Sequence, residues 1–356
     1  MASAVEAADV SFHQGDAEGE PVDFFAPIIA AERLHPIFKV LATEERYSPA
    51  RAIIQAMMRY HKDIDGNFIQ NFQAGGFDAR LWELYLWATF TELGYVREGE
   101  VQIPDFILRG NHGSLAIEAA SANPPEKGNV PKPTNDTEFI DYIENYIPIK
   151  LAAALKNKLN HKPPYWDSPE LGGLPFCIAV QDFSIGGSMR FIVPAAVEYV
   201  FGIRHSMEEG VHKIEKIKVH RYGKQKAKSG FFQLPNSENV SAVIINPQGT
   251  ITKFNRLGYI AGFGNPNVRM VRSGVRRNDG NLEAPQPTTF VQHVDLNYEE
   301  SWVEGMVVIH NPNAVIPLNP QLIPGAAHEF LQEDGSIQTL LPEFHPLYSQ
   351  IEIVGP

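Results

Sequence analysis

Residues 77–123 read FDARLWELYLWATFTELGYVREGEVQIPDFILRGNHGSLAIEAASAN, and the fold turns on them. FDARLWELYLWATFTELGY predicts a helix, with Asp78 placed to cap its start and Gly94 to end it. VQIPDFIL and SLAIEAA are short strand-like runs on either side of the Arg109-Gly110-Asn111-His112-Gly113 turn, which predicts a hairpin. Three carboxylates stand on these elements. Glu83 shares a helix side with Leu86, Trp87 and Phe90, where an unpaired charge is costly, so it needs a partner. Asp105 follows Pro104, which cannot donate to a strand ladder and so marks a bend or an edge. Glu118 alternates with Ala116 and Ala120, two small neighbours that leave room beside its carboxylate. Asp105 and Glu118 lie on consecutive strands and can converge on one point. Two carboxylates that close need a shared proton or a cation. Oxygen donors with little His or Cys nearby suit Mg²⁺ or Mn²⁺, and the layout is that of metal-assisted phosphodiester hydrolysis.

Outward from this stretch, residues 1–20 read as a disordered acidic tail, with five acids and no Lys or Arg. Residues 21–75 form an N-terminal helical segment, in which Ser48-Pro49 makes a cap and first-turn pair for ARAIIQAMMRYHK. Residues 76–205 form the core. There TEFIDYIENY is helical, Pro148 kinks or restarts it into IKLAAALKNKLNH, and LPFCIAV is a buried strand ending at Gln181-Asp182. Residues 206–236 are a basic insertion. Residues 237–356 supply further strands (VSAVIIN, GMVVIHNPN) and loops that complete the core. Mixed strands and helices in succession point to α/β, with α+β as the alternative, built on one mixed central sheet flanked by helices.

At 356 residues, 44% hydrophobic and 20% charged, the chain is an ordinary globular sequence. No apolar run is long enough to span a bilayer. The opening MASAVEAADVSFHQGDAEGE has neither basic start nor apolar block, so no signal peptide is expected and the cytoplasm is the default location. A lone Cys177 excludes an internal disulfide and a Cys-based zinc site. The net charge of −12 argues against a protein that coats nucleic acid indiscriminately. Charge is unevenly placed, however. Lys213, Lys216, Lys218, Arg221, Lys224, Lys226 and Lys228 face a single acid, Glu215, between 212 and 228. A basic arm on an acidic body can meet a phosphate backbone; a solvated loop is the plain alternative.

The helix acid, then Pro104-Asp105, then Glu118, resembles the PD-(D/E)XK superfamily of restriction-endonuclease-like nucleases, over about residues 77–183. The wider pattern through IEAASANPP, KNKLNHK and PFCIAVQDF is similar to a group of uncharacterised bacterial proteins, some named "glycosaminoglycan attachment site" protein. The resemblance implies a restriction-endonuclease-like core and a Mg²⁺- or Mn²⁺-dependent nuclease, acting on DNA ahead of RNA. Glu83, Asp105 and Glu118 would hold metal and water. One departure matters: the family places a Lys two residues after the second acid, where this chain has Ala120. That Lys orients the attacking water and offsets transition-state charge. A displaced Lys on the following helix (Lys150, Lys156 or Lys158) can replace it, with Lys156 and Lys158 the preferred pair. At i, i+2 these two cannot face the same way. Ser121 or Asn123 can share the work. Otherwise the site is inactive and the fold serves as a nucleic-acid-binding or assembly module. No membrane partner is expected, and a homo-oligomer is compatible with the reading.

Overall fold

The computed structural model describes residues 23–60, 67–98, 103–124, 130–184, 190–277 and 287–355. The acidic tail and residues 101–102 of the expected hairpin therefore lie outside the described residues. Helices run α1 (Pro36–Thr43), α2 (Ser48–Met57), α3 (Phe68–Gln73), α4 (Phe77–Glu92), α5 (Asp136–Asp141), α6 (Ile147–Leu159), α7 (Ile192–Phe201) and α8 (Ile251–Ile260). Strands run β1 (Tyr95–Arg97), β2 (Phe106–Gly110), β3 (Gly113–Ala122), β4 (Phe176–Asp182), β5 (Ile203–Glu208), β6 (Val211–Lys216), β7 (Val219–Tyr222), β8 (Gln225–Lys228) and β9 (Ala242–Ile245). They continue with β10 (Arg269–Arg277), β11 (Pro287–His293), β12 (Val307–His310), β13 (Ala327–Leu331), β14 (Ile337–Leu340) and β15 (Pro346–Val354). No helix among the described residues is long and apolar enough to cross a membrane.

The chain divides into two compact units. One comprises residues 1–95, 248–304 and 344–356; the other comprises 96–247 and 305–343. The expected 76–205 segment is thus shared between them, with α4 in the first unit and the hairpin in the second.

The second unit holds a mixed sheet in the order β1-β2-β3-β4-β9-β12-β13-β14. The β2–β3 hairpin is antiparallel and β3, β4 and β9 run parallel. Two short ribbons, β5–β6 and β7–β8, stand apart from this sheet. Parallel neighbours need crossovers, and α6 and α7 supply them. Ala116 and Ala120 of β3 share a buried cluster with Leu151, Leu155 and Leu159 of α6, so small strand residues meet large helix residues. Pro148, which has no amide hydrogen, follows a single π turn at Tyr142–Tyr146, and the helix restarts there as the sequence predicts.

In the first unit α2 and α8 pack together beside the antiparallel sheet β11-β10-β15. Gly258 permits that approach, since a Cβ there would lie 2.4 Å from the Pro49 carbonyl oxygen. Asn255 of α8 accepts from the Ala50 amide at 3.0 Å and donates to the Arg46 carbonyl, tying two helix ends together.

Two local expectations are corrected. Asp78 does not cap α4: the helix starts at Phe77 after Gly76, no side chain caps it, and Asp78 sits inside the first turn. Ser48 is likewise inside α2, where its hydroxyl accepts from the Asn265 amide instead. Gly94, at φ +80°, does terminate α4.

Candidate functional site

Glu118 occupies the middle of β3 on the side that faces α6, with only 5% of its surface exposed. Three hydrogen bonds reach its carboxylate. Oε1 accepts from Lys158 Nζ at 2.5 Å and from the Tyr165 hydroxyl at 2.9 Å; Oε2 accepts from the Asp105 amide at 3.1 Å. Asp105 returns the contact across the hairpin, its Oδ2 accepting from the Ala119 amide at 2.8 Å. The register pairs Phe106 with Ile117, so one step further Asp105 stands opposite Glu118, and directly opposed residues share a sheet face. Each acid thus reaches the other's strand, Glu118 at the Asp105 amide and Asp105 at the Ala119 amide.

Lys158 arrives from the last turn of α6, three residues past Leu155 and seven past Leu151, within the stripe that packs on the sheet. Lys156 lies off that stripe and makes no contact with Glu118, so the helix geometry separates the two lysines. Lys150 instead reaches the Asn123 carbonyl at 3.4 Å and sits over the Tyr146 ring. Asn123 donates to Ser121 Oγ, so these two polar side chains engage each other. Burial, then the Glu118 charge and the hydrogen bond to it, push the Tyr165 hydroxyl well above its ordinary pKa, so it stays a donor at any working pH.

Glu83 lies in the first unit. Its carboxylate takes the Arg80 guanidinium at 2.7 Å, one turn back along α4, which supplies the partner its apolar setting demands. Among the described residues no three His, Cys, Asp or Glu side chains gather to hold a metal ion. The donor chemistry at Asp105 and Glu118 nonetheless fits Mg²⁺ or Mn²⁺, which bind through one or two carboxylates and keep several waters. The chain matches no family model, no curated protein and no solved structure.

Tyr165 is the participant that sequence reading missed. It opens a short 3-10 turn after Pro163-Pro164, and only the tertiary packing shows that its ring, stacked on His161 and Phe176, delivers a hydroxyl to Glu118. The basic residues expected to touch nucleic acid lie on β6, β7, β8 and their turns, and all seven are exposed.

A second charged cluster lies in the first unit. Glu300 is fully buried and takes Arg256 through two hydrogen bonds at 2.6 and 2.7 Å, with Lys253 Nζ at 3.1 Å. Tyr298 donates to Glu300 and accepts from Arg272, whose Nη1 also donates to Glu304 at 2.7 Å. Burial opposes ionisation of Glu300, yet Arg256 and then Lys253 outweigh it and hold its pKa well below the ordinary value. Burial holds the Lys253 amine below its ordinary value. A roomier cleft of about 910 Å³ in this unit includes Arg51 and Asn265 in its lining, both donating to Glu45.

Proposed function

We propose that this chain is a divalent-metal-dependent nuclease hydrolysing phosphodiester bonds, DNA ahead of RNA, at the cluster of Asp105, Glu118 and Lys158. The observation that carries the reading is Lys158. The strand position where the resembled family keeps its lysine is Ala120, and an ammonium from the next helix lies 2.5 Å from the Glu118 carboxylate instead. The antiparallel β2–β3 hairpin, a helical crossover through α6 and a parallel β4 beside β3 support a restriction-endonuclease-like core.

Asp105 and Glu118 would hold Mg²⁺ or Mn²⁺. When bound, such an ion lowers the pKa of an attacking water and neutralises charge on the scissile phosphate. Lys158 keeps a fixed positive charge beside Glu118, placed to orient that water and offset the developing negative charge. Tyr165 and the Asp105 amide restrain the Glu118 rotamer, so the acid does not have to be ordered when substrate arrives. Mg²⁺-dependent nicking of supercoiled plasmid tests the reading: wild type should cut, and Asp105→Asn and Glu118→Gln should each abolish cutting while duplex DNA still binds.

A second reading, a nuclease fold retained only for binding, draws on the saturation of Glu118 Oε1 by Lys158 and Tyr165. It predicts DNA binding with no cutting by wild type in either metal.

A further inference from the structure

The basic segment is two ribbons, and they are built differently. In β5–β6 the lysines alternate with other chemistry. Lys213 and Lys216 are three residues apart and therefore point to opposite faces, and Glu215 stands between them opposite Arg204. Arg204 is already claimed by Glu144 and Glu198, each at 2.8 Å. In β7–β8 the register places Arg221 directly opposite Lys226 and Val219 opposite Lys228, so three cations share one face. That face is exposed; the other carries His220 and Ala227 into the core. Like charges directly opposed across a strand pair destabilise it. Among the described residues no ion-pair partner offsets Arg221, Lys226 or Lys228.

Lys156 stands on α6, the helix that packs against β8. Burial, and then the Lys228 ammonium, hold the Lys156 amine below its ordinary value. Lys156 in turn lines a pocket of about 390 Å³ with Asn157, Asn160 and His161, and Lys158 and Tyr165 belong to the same lining. Both of these residues donate to Glu118. Both faces of the Tyr165 ring are covered, by His161 on one side and Phe176 on the other, so it offers no surface to a stacking base. What the pocket presents is ammonium groups and side-chain amides, the chemistry that binds a phosphodiester.

We infer that the outward face of β7–β8 (Arg221, Lys226, Lys228), Lys156 and this pocket form one continuous phosphate track that leads a DNA backbone to Glu118 without reading its bases, and that the β5–β6 ribbon is not part of it. The inference rests on the nuclease reading for its endpoint at Glu118. It also reassigns Lys156 from the chemistry to substrate binding.

The test is binding of a fluorescein-labelled DNA duplex to the full chain in EDTA, followed by anisotropy across a salt series. Lys156→Ala should flatten the salt dependence by about 0.9, the value for a single phosphate no longer neutralised, and Lys226→Ala/Lys228→Ala by about twice that. Lys213→Ala/Lys216→Ala should leave the slope unchanged, and a second duplex of scrambled sequence should bind equally well. Unchanged slopes in the track variants, or an equal flattening in the β5–β6 pair, would overturn the track. Full competition by millimolar inorganic phosphate would also overturn it, since a single-anion site would then account for the pocket. Cleavage is scored separately in Mg²⁺. Flattened slopes without any cutting sink the nuclease reading and leave the track standing, whereas cutting with unchanged slopes does the reverse.

Discussion

Around Glu300, three cations and two carboxylates occupy a space with almost no solvent access, and Tyr298 bridges them. Around Glu118, one acid meets one lysine whose side chain keeps 25% of its exposure and lines a pocket. Both are ion pairs with a tyrosine hydroxyl attached. They differ in access. A sealed network of charges spends its electrostatics on itself, and removing one member strands the others in a low dielectric. An ion pair at a pocket wall can exchange partners with an incoming phosphate or metal. The contrast fits a structural role for the Glu300 cluster and the proposed chemistry for the Glu118 cluster, and each half can be broken separately.

The largest effect is expected in the sealed network. Glu300→Ala leaves Lys253 and Arg256 buried without their carboxylate, which should cost about 3–5 kcal/mol of stability in urea unfolding at neutral pH. A loss under about 1 kcal/mol would mean that water or another acid reaches these cations, a result at odds with a buried pair of this kind.

The open cluster should behave the other way. Lys158→Met should leave the fold largely intact, because Glu118 retains Tyr165 and the Asp105 amide. Mg²⁺-dependent cleavage should fall by about 10²–10³, the usual loss on removing one fixed stabiliser of transition-state charge. Unfolding of this variant with no residual structure would move the Glu118 cluster into the structural class.

Tyr165→Phe is a milder cut at the same acid. A hydrogen bond to a charged group contributes about 1.5 kcal/mol at the low end, so cleavage should slow by about tenfold with little change in DNA affinity. Equal rates for the two proteins would show that Tyr165 only fills space.

Acid offers the gentlest comparison of the two units. His310 Nε2 lies 2.9 Å from His328 Nδ1, and His328 Nε2 donates to the Ile323 carbonyl, so His310 is the donor within the pair. Burial, and then His328, lower the His310 pKa to about 3. Neutral in the fold, it gains a proton below pH 6.5 only on unfolding. Its stabilising contribution is therefore complete above 6.5 and is lost progressively as pH falls from there towards 3. Glu300, held low, contributes stability above its ordinary 4.5 that disappears only as pH falls through its depressed folded value. Between pH 6 and 5, hydrogen exchange should therefore show β12 and β13 losing protection before α8. Simultaneous loss would contradict this, and His310→Gln should delay loss in the strands.

Much of the site was legible because its signals are local. Alternation places Glu118 beside Ala116 and Ala120, Pro104 marks Asp105, and the turn at 109–113 joins their strands. Lys158 was readable as one of two alternatives, since the i, i+2 spacing separates it from Lys156 but cannot say which faces the sheet; Leu151 and Leu155 decide that. Tyr165 was not legible, because a residue in a short 3-10 turn between α6 and β4 meets Glu118 only through tertiary packing. The same holds for the C-terminal strands. Residues 327–354 read as loops, yet β13, β14 and β15 form there; in β15 Ile351 and Ile353 alternate with the exposed Gln350 and Glu352 and pack on a buried cluster, a signal too short to stand out among the surrounding turns. Lys253 and Arg256 share one acid, Glu300, which lies about 45 positions away in the chain and so gives no local signal.

The central claim is that a helix lysine does the work of the missing strand lysine, and moving that lysine tests it most directly. Plasmid cleavage in Mg²⁺ should be measured for wild type, Lys158→Met and the double variant Ala120→Lys/Lys158→Met, with thermal melts to establish folding. Wild type should cut, Lys158→Met should lose nearly all activity, and the double variant should regain part of it, since position 120 lies on the same side of β3 as Glu118. Cutting by Lys158→Met at the wild-type rate, or no cutting by any of the three folded proteins in Mg²⁺ or Mn²⁺, would contradict the account.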